Sequence, residues 1–152
     1  MADFDPETVG NSEDIEKQFA VKTVEHLEAY EKLITGIPPK KLKLTQEDDE
    51  IYDDLMEKFP EFKFEANLQD LDEEKMKSAA GKEKWRSFIM PYEKTLVDYN
   101  FAVLIRKDCT KLYTQDNTIL VTRVQFLALE IARNRTGLND KVYNEAQANK
   151  SS

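Results

Sequence analysis

Ala79–Tyr99 reads AAGKEKWRSFIMPYEKTLVDY, and this stretch decides the fold class. At 100° per residue, Trp85, Phe88, Ile89, Tyr92, Leu96 and Tyr99 gather in one stripe about 100° wide, the pattern of an amphipathic helix. The spacing predicts a helix over residues 79–99. Pro91 falls on the opposite, polar face. It has no N–H for the carbonyl of Ser87, so a kink is expected there, with water serving the freed carbonyl.

Two further helices are expected upstream. Asn11 or Ser12 can cap a first helix over residues 12–35, with Glu13, Asp14 and Glu16 at the positive end of its dipole. Ile15, Phe19, Leu27, Tyr30, Leu33 and Ile34 share one face, and Gly36 with Pro38-Pro39 stops it. An extended connector, residues 37–44, leads to Thr45, a cap for a second helix to about Phe59 with Asp48 at the reciprocal capping position. Ile51, Leu55 and Phe59 make its stripe, and Pro60 ends it. Residues 61–77 are less regular, with a short helical turn expected near Asp72–Lys77.

Downstream, Asn100 breaks the pattern. The apolar runs Phe101–Arg106 and Thr118–Val121, split by polar Lys107–Asn117, read as a two-stranded ribbon with a long loop. A last helix is expected over residues 122–135, stopped by Gly137. The fold class is therefore mainly α (α+β): a compact helical domain of three to four longer helices with a small two-stranded β-ribbon. Residues 1–11 read as a flexible acidic N-terminus, 12–142 as a single globular domain, and 143–152 as a frayed C-terminal tail.

The net charge of −8 is unevenly placed: residues 106–152 hold 8 basic and 5 acidic side chains, so the acidic excess lies upstream. That excess argues against direct nucleic-acid binding, which needs clustered Lys and Arg. No apolar run reaches the roughly 20 residues a membrane helix needs, and the N-terminus lacks the features of a secretory signal. With one cysteine, Cys109, and no such signal, a reducing cytoplasmic compartment is expected.

One His and one Cys do not make a usual metal site, and the four glycines are too scattered for a phosphate loop. A Cys109–His26 nucleophile pair exists on paper only. His26 lies mid-face on the first helix and reads as a packed, hydrogen-bonded core histidine. Asp48-Asp49-Glu50 with Asp53-Asp54 sits at a helix start, where negative charge is favourable without any ion. No catalytic, metal or cofactor site is expected.

On the last helix, Arg123, Glu130 and Asn134 project within about 40° of one another, while Val124, Leu127, Ala128 and Ile131 face the core. Phe126 and Leu129 take a third side, with Arg133 between. Two readings stay open: an internal ion-pair and hydrogen-bond network, or a recognition stripe of the residue types enriched at binding hot spots.

SEDIEKQFA (12–20), DDEIYDDLMEKFPEF (48–62), KWRSFIMPYEKTLVDYNF (84–101) and QFLALEIARNRTGLND (125–140) together resemble the polysaccharide-biosynthesis-domain-containing protein 1 family, in particular its fungal members. The resemblance extends over roughly residues 12–142. It implies a cytosolic chaperone of translation elongation factor 1-alpha, binding its GTPase domain at the ribosome with help from the nascent polypeptide-associated complex. The family label instead hints at an enzyme or accessory protein of polysaccharide biosynthesis, for which the residues offer no nucleotide-sugar or methyl-donor site. A scaffold subunit of another assembly is the third possibility. For a client-binding role, the expected contacts are Phe101, Arg106, Arg123, Arg133 and Asn134. The ribbon that starts at Phe101 feeds directly into the last helix, at the mildly basic end of an acidic chain. A monomer without cofactors, touching the ribosome only indirectly, is expected.

Overall fold

The computed structural model describes residues 12–151; the segment 1–11, read above as a flexible lead-in, lies outside them. Seven helices and one antiparallel ribbon follow in the order α1 (Ser12–Gly36), α2 (Asp48–Lys58), α3 (Glu65–Gln69), α4 (Glu73–Lys77), α5 (Ala79–Ile89), β1 (Ala102–Arg106), β2 (Thr118–Thr122), α6 (Arg123–Thr136) and α7 (Asp140–Ser151). The mainly helical architecture with a small ribbon is the one the sequence implies.

The centre of the molecule is α6. Every residue from Phe126 to Asn134 on it is buried, and α2, α3, α5, both strands and the turn at Pro39–Lys41 pack around it. Its ends are chemically fixed. Thr122 and Gln125 form a reciprocal capping box, and Gly137 closes the helix in the left-handed region at φ 83°, which favours glycine. The strands pair in register, Ala102 opposite Thr122 through Arg106 opposite Thr118. Val103, Ile105, Ile119 and Val121 point into the core, as the two-residue period requires. Asn117 braces the connecting loop. Its amide donates to the carbonyls of Asp108 and Leu112 at 3.0 and 3.1 Å, and its oxygen accepts from the Asp108 N–H at 2.8 Å.

The stripe on residues 79–99 is a core stripe: Trp85, Phe88, Tyr92 and Leu96 are all buried. Trp85 stacks on Phe59 with ring centroids 4.1 Å apart, and Phe88 meets both rings edge-on, an arrangement aromatic quadrupoles favour. The helix does not reach Tyr99, however. It ends at Ile89, and Pro91 leads into a 3-10 turn over Met90–Tyr92 followed by further turns. Proline here stops the helix instead of kinking it, and the turns that follow still bury Tyr92 and Leu96.

Other boundaries shift by local chemistry. The second helix starts at Asp48, with Glu47 and not Thr45 at its cap position. The Asp48 carboxylate accepts the N–H groups of Leu44 and Thr45 at 2.8 and 2.7 Å, while the Thr45 hydroxyl accepts from Glu47 two residues on. The expected turn near 72–77 is α4, capped by Asp72; α3 is an addition. The C-terminal segment is a correction. Residues 143–151, expected to fray, are helical within α7, which packs along α1. Val142 is buried there, and Gln147 donates to the carbonyl of Thr35 at 2.8 Å, capping the end of α1. Of the apolar residues of α7, only Val142, Tyr143 and Ala146 share its inward side, a signal too sparse for a periodicity reading.

Candidate protein-binding site

Most of the polar stripe on α6 belongs to a buried network. Glu130 sits at its middle with no exposed surface. One carboxylate oxygen accepts from the Tyr30 hydroxyl at 2.7 Å, Asn139 at 3.0 Å and Arg106 at 3.2 Å. The other accepts from Arg133 at 2.9 Å. Burial alone would raise the carboxyl pKa, but Arg106 and Arg133 outweigh it and hold Glu130 below the usual carboxylate range. Burial, then the Glu130 charge, pushes the Tyr30 hydroxyl well above its ordinary value, so it stays a donor.

Two guanidiniums against one carboxylate leave a surplus positive charge in the core. Backbone carbonyls and the Asn139 amide oxygen, at 2.6 Å from Arg106, supply further acceptors, while Arg106 Nε has none. Arg106 donates to Cys109 and Lys111, and Arg133 to Leu68, Gln69, Arg106 and Lys107. The network thereby ties α6 to β1, to the loop after β1, and to the end of α3. Asn134 joins it through Tyr30 and Asn139.

Three of the five expected contact residues are therefore corrected. Arg106 and Arg133 have no exposed surface and Asn134 only 2%. A partner cannot reach them while the fold is intact. Their polar groups face inward because α6 is surrounded on every side, so its hydrophilic stripe meets a strand instead of solvent. Glu130 and Asn134 follow the network reading of that stripe; Arg123, which was grouped with them, stands outside it.

Phe101 and Arg123 remain at the surface, joined through the backbone: the Arg123 N–H donates to the Phe101 carbonyl at 2.8 Å. Phe101 is 36% exposed and lies 6.0 Å, ring to ring, from Phe19, itself 42% exposed. Arg123 is half-buried, its Nε has no hydrogen-bond partner, and no ion pair engages it among the described residues. Beside it, the His26 ring packs edge-on against Phe126 at 4.9 Å. The expectation of a hydrogen-bonded core histidine fails in detail: His26 is half-buried and its Nδ1 has no partner. Burial, then the Arg123 charge, lowers its pKa from 6.5. The result is a surface of two aromatic rings, an imidazole and an unpaired guanidinium.

Sequence reading placed Phe19 on the core stripe of α1. The missed signal is that Phe19, Val21 and Val24 cannot share one buried face, and all three are exposed. Cys109 is fully buried, its thiol donating to the Leu138 carbonyl at 3.7 Å, and burial raises its pKa. No hydrogen bond joins it to His26. Among the carboxylates of residues 48–54, Asp48 accepts two backbone N–H groups, Asp54 accepts from the Tyr92 hydroxyl at 3.0 Å, and Asp49 pairs with Arg135. No helix among the described residues is long and apolar enough to cross a membrane.

The chain resembles known proteins along most of its length. The family model described as PBDC1 protein matches residues 15–144. A Protein PBDC1 homolog of Schizosaccharomyces pombe is 52% identical over 137 residues, covering 90% of this chain and 93% of that protein. One of Saccharomyces cerevisiae is 51% identical over 140 residues, covering 92% and 96%. A solution NMR structure of a Saccharomyces cerevisiae protein superposes with a TM-score of 0.81 at 49% identity, covering 95% of this chain and 99% of that one. With a family match over nearly all of the described fold and relatives at half identity along almost their whole length, the chain belongs to the PBDC1 family.

Proposed function

We propose that this chain is a non-catalytic, cytosolic chaperone that binds the GTPase domain of newly made translation elongation factor 1-alpha, with the nascent polypeptide-associated complex assisting at the ribosome. The observation that carries the reading is the surface formed by exposed Phe19 and Phe101 with half-buried Arg123, on a scaffold held rigid by the Glu130 network. Aromatic rings beside an unpaired arginine are the residue types that dominate binding hot spots. A preorganised surface also reduces the ordering cost of association. The charged groups that converge most closely, Arg106, Glu130 and Arg133, contact one another and backbone carbonyls and have no surface for a substrate to reach. The overall charge of −8 suits work beside ribosomal RNA, because repulsion suppresses non-specific binding there.

The test is co-purification from a cell-free translation reaction producing the GTPase domain of the elongation factor, with the purified chain as bait. Stoichiometric capture that falls on Phe101→Ala and Arg123→Glu substitution supports the reading. Failure of the unaltered chain to capture the domain, with or without the nascent polypeptide-associated complex, overturns it.

A further inference from the structure

We propose that the groove between α5 and the ribbon docks an acidic, amphipathic segment of a partner protein. The groove has a volume of about 650 Å³ and is open to solvent. Its apolar lining includes Ile89, Met90 and Leu120; Met90 is 52% exposed and Leu120 46%, both high for large apolar side chains beside a packed core. Leu120 stands alone in β2 as an exposed residue, since its neighbours on either side point inward.

The charge on the groove selects the occupant. Lys77, Lys82 and Arg86 line it, and no Asp or Glu does, in a chain whose net charge is −8. Lys77 already pairs with Glu73 at 3.1 Å. Lys82 and Arg86, one turn apart on α5, are exposed and enter no ion pair among the described residues. Two unpaired cations beside an apolar floor complement a segment that alternates Asp or Glu with large apolar side chains. The apolar groups supply burial and the charges set register and encounter rate. A nucleic-acid strand is a poorer fit: three cations give little phosphate neutralisation, and the floor is mostly aliphatic. Phe101 and Arg123 do not line this groove, so the inference goes beyond the client surface described above and stands without it.

The experiment is a backbone amide NMR titration of the full chain with a synthetic peptide of alternating Glu and Leu or Phe residues. Saturable shifts confined to the groove, with affinity lowered about tenfold or more in a Lys82→Glu, Arg86→Glu double variant of unchanged melting temperature, are expected. Leu120→Ser should weaken binding as well, separating the apolar contribution from the ionic one. Equal binding by polyglutamate, by the peptide with Lys for Glu, by oligo-uridine or by anionic lipid vesicles would overturn the proposal. So would groove shifts that appear on raising the protein concentration alone, which would assign the surface to a second copy. Groove shifts between the full chain and one lacking residues 2–11 would assign it to the chain's own acidic start, and would overturn it too.

Discussion

Arg106 on β1 and Glu130 on α6 meet at 3.2 Å with neither side chain exposed, so the ribbon is fastened to the central helix by an ion pair that water does not reach. Arg133 reaches the other oxygen of the same carboxylate at 2.9 Å. Removing the shared anion leaves two guanidiniums facing each other in a buried site. Glu130→Gln is therefore expected to destabilise the fold by about 3–5 kcal/mol, the range seen when one partner of a buried pair is deleted. A urea unfolding series measures this; a loss below about 1 kcal/mol would mean that the carbonyl acceptors alone suffice.

This network also shows what the sequence makes legible and where it stops. Element types follow from periodicity, since Trp85, Phe88, Tyr92 and Leu96 face inward as their spacing requires. The polar stripe of α6 was visible too, but its direction was not. Whether Arg133 meets solvent or a strand depends on what surrounds α6, and that is set by packing between segments far apart in the chain: Leu68, Arg106 and Tyr30 are distant in sequence. Arg123 went the other way. About two turns before Glu130, it is the first residue of the helix and stays half-buried at the surface.

Gly81 tests how closely α4 and α5 are joined. A Cβ built there would lie 2.0 Å from the backbone carbonyl of Lys75, a distance no relaxation of a flexible side chain can relieve. Gly81→Ala should cost about 1–3 kcal/mol or more through overpacking. Gly36, the last residue of α1, meets nothing within 4 Å, so Gly36→Ala should be neutral or slightly stabilising. Equal thermal shifts for the two would contradict the close approach.

Stability should depend on pH at both ends. His26 has a lowered pKa in the fold, so the unfolded chain takes up its proton first as pH falls. Stability from this group is fully present above about 6.5 and is lost as pH drops through the folded value. Glu130, also lowered, adds a loss at more acidic pH. Tyr30 is raised, so the unfolded chain loses its phenolic proton first, and stability declines as pH rises above about 10. Urea midpoints across pH should show both flanks, and His26→Gln should flatten the segment near and just below pH 6.5. A profile unchanged by that substitution would refute the histidine assignment.

Arg123→Glu separates the surface role of Arg123 from a packing role. If Arg123 paired internally with Glu130, reversing it would lower the melting temperature and Glu130→Arg would restore it. In the structure Glu130 is engaged by Arg106 and Arg133, so Arg123→Glu should leave the melt nearly unchanged and Glu130→Arg should be ruinous alone or in combination. On the proposed chaperone role, binding to the nascent elongation factor should fall about 30-fold or more, the weight of a hot-spot arginine worth at least about 2 kcal/mol. Arg133→Glu should instead prevent folding, since it sets a second anion against Glu130 in a dry site. His26 supplies an independent reading. It is the one histidine in the chain, so one imidazole NMR signal reports it. Exchanging a neighbouring cation for an anion should raise its pKa, because the protonated form is then attracted where it was repelled. A raised His26 pKa with an intact melt and lost binding would place Arg123 at the contact surface. An intact melt and intact binding in a Phe101→Ala, Arg123→Glu double variant would remove that surface from consideration.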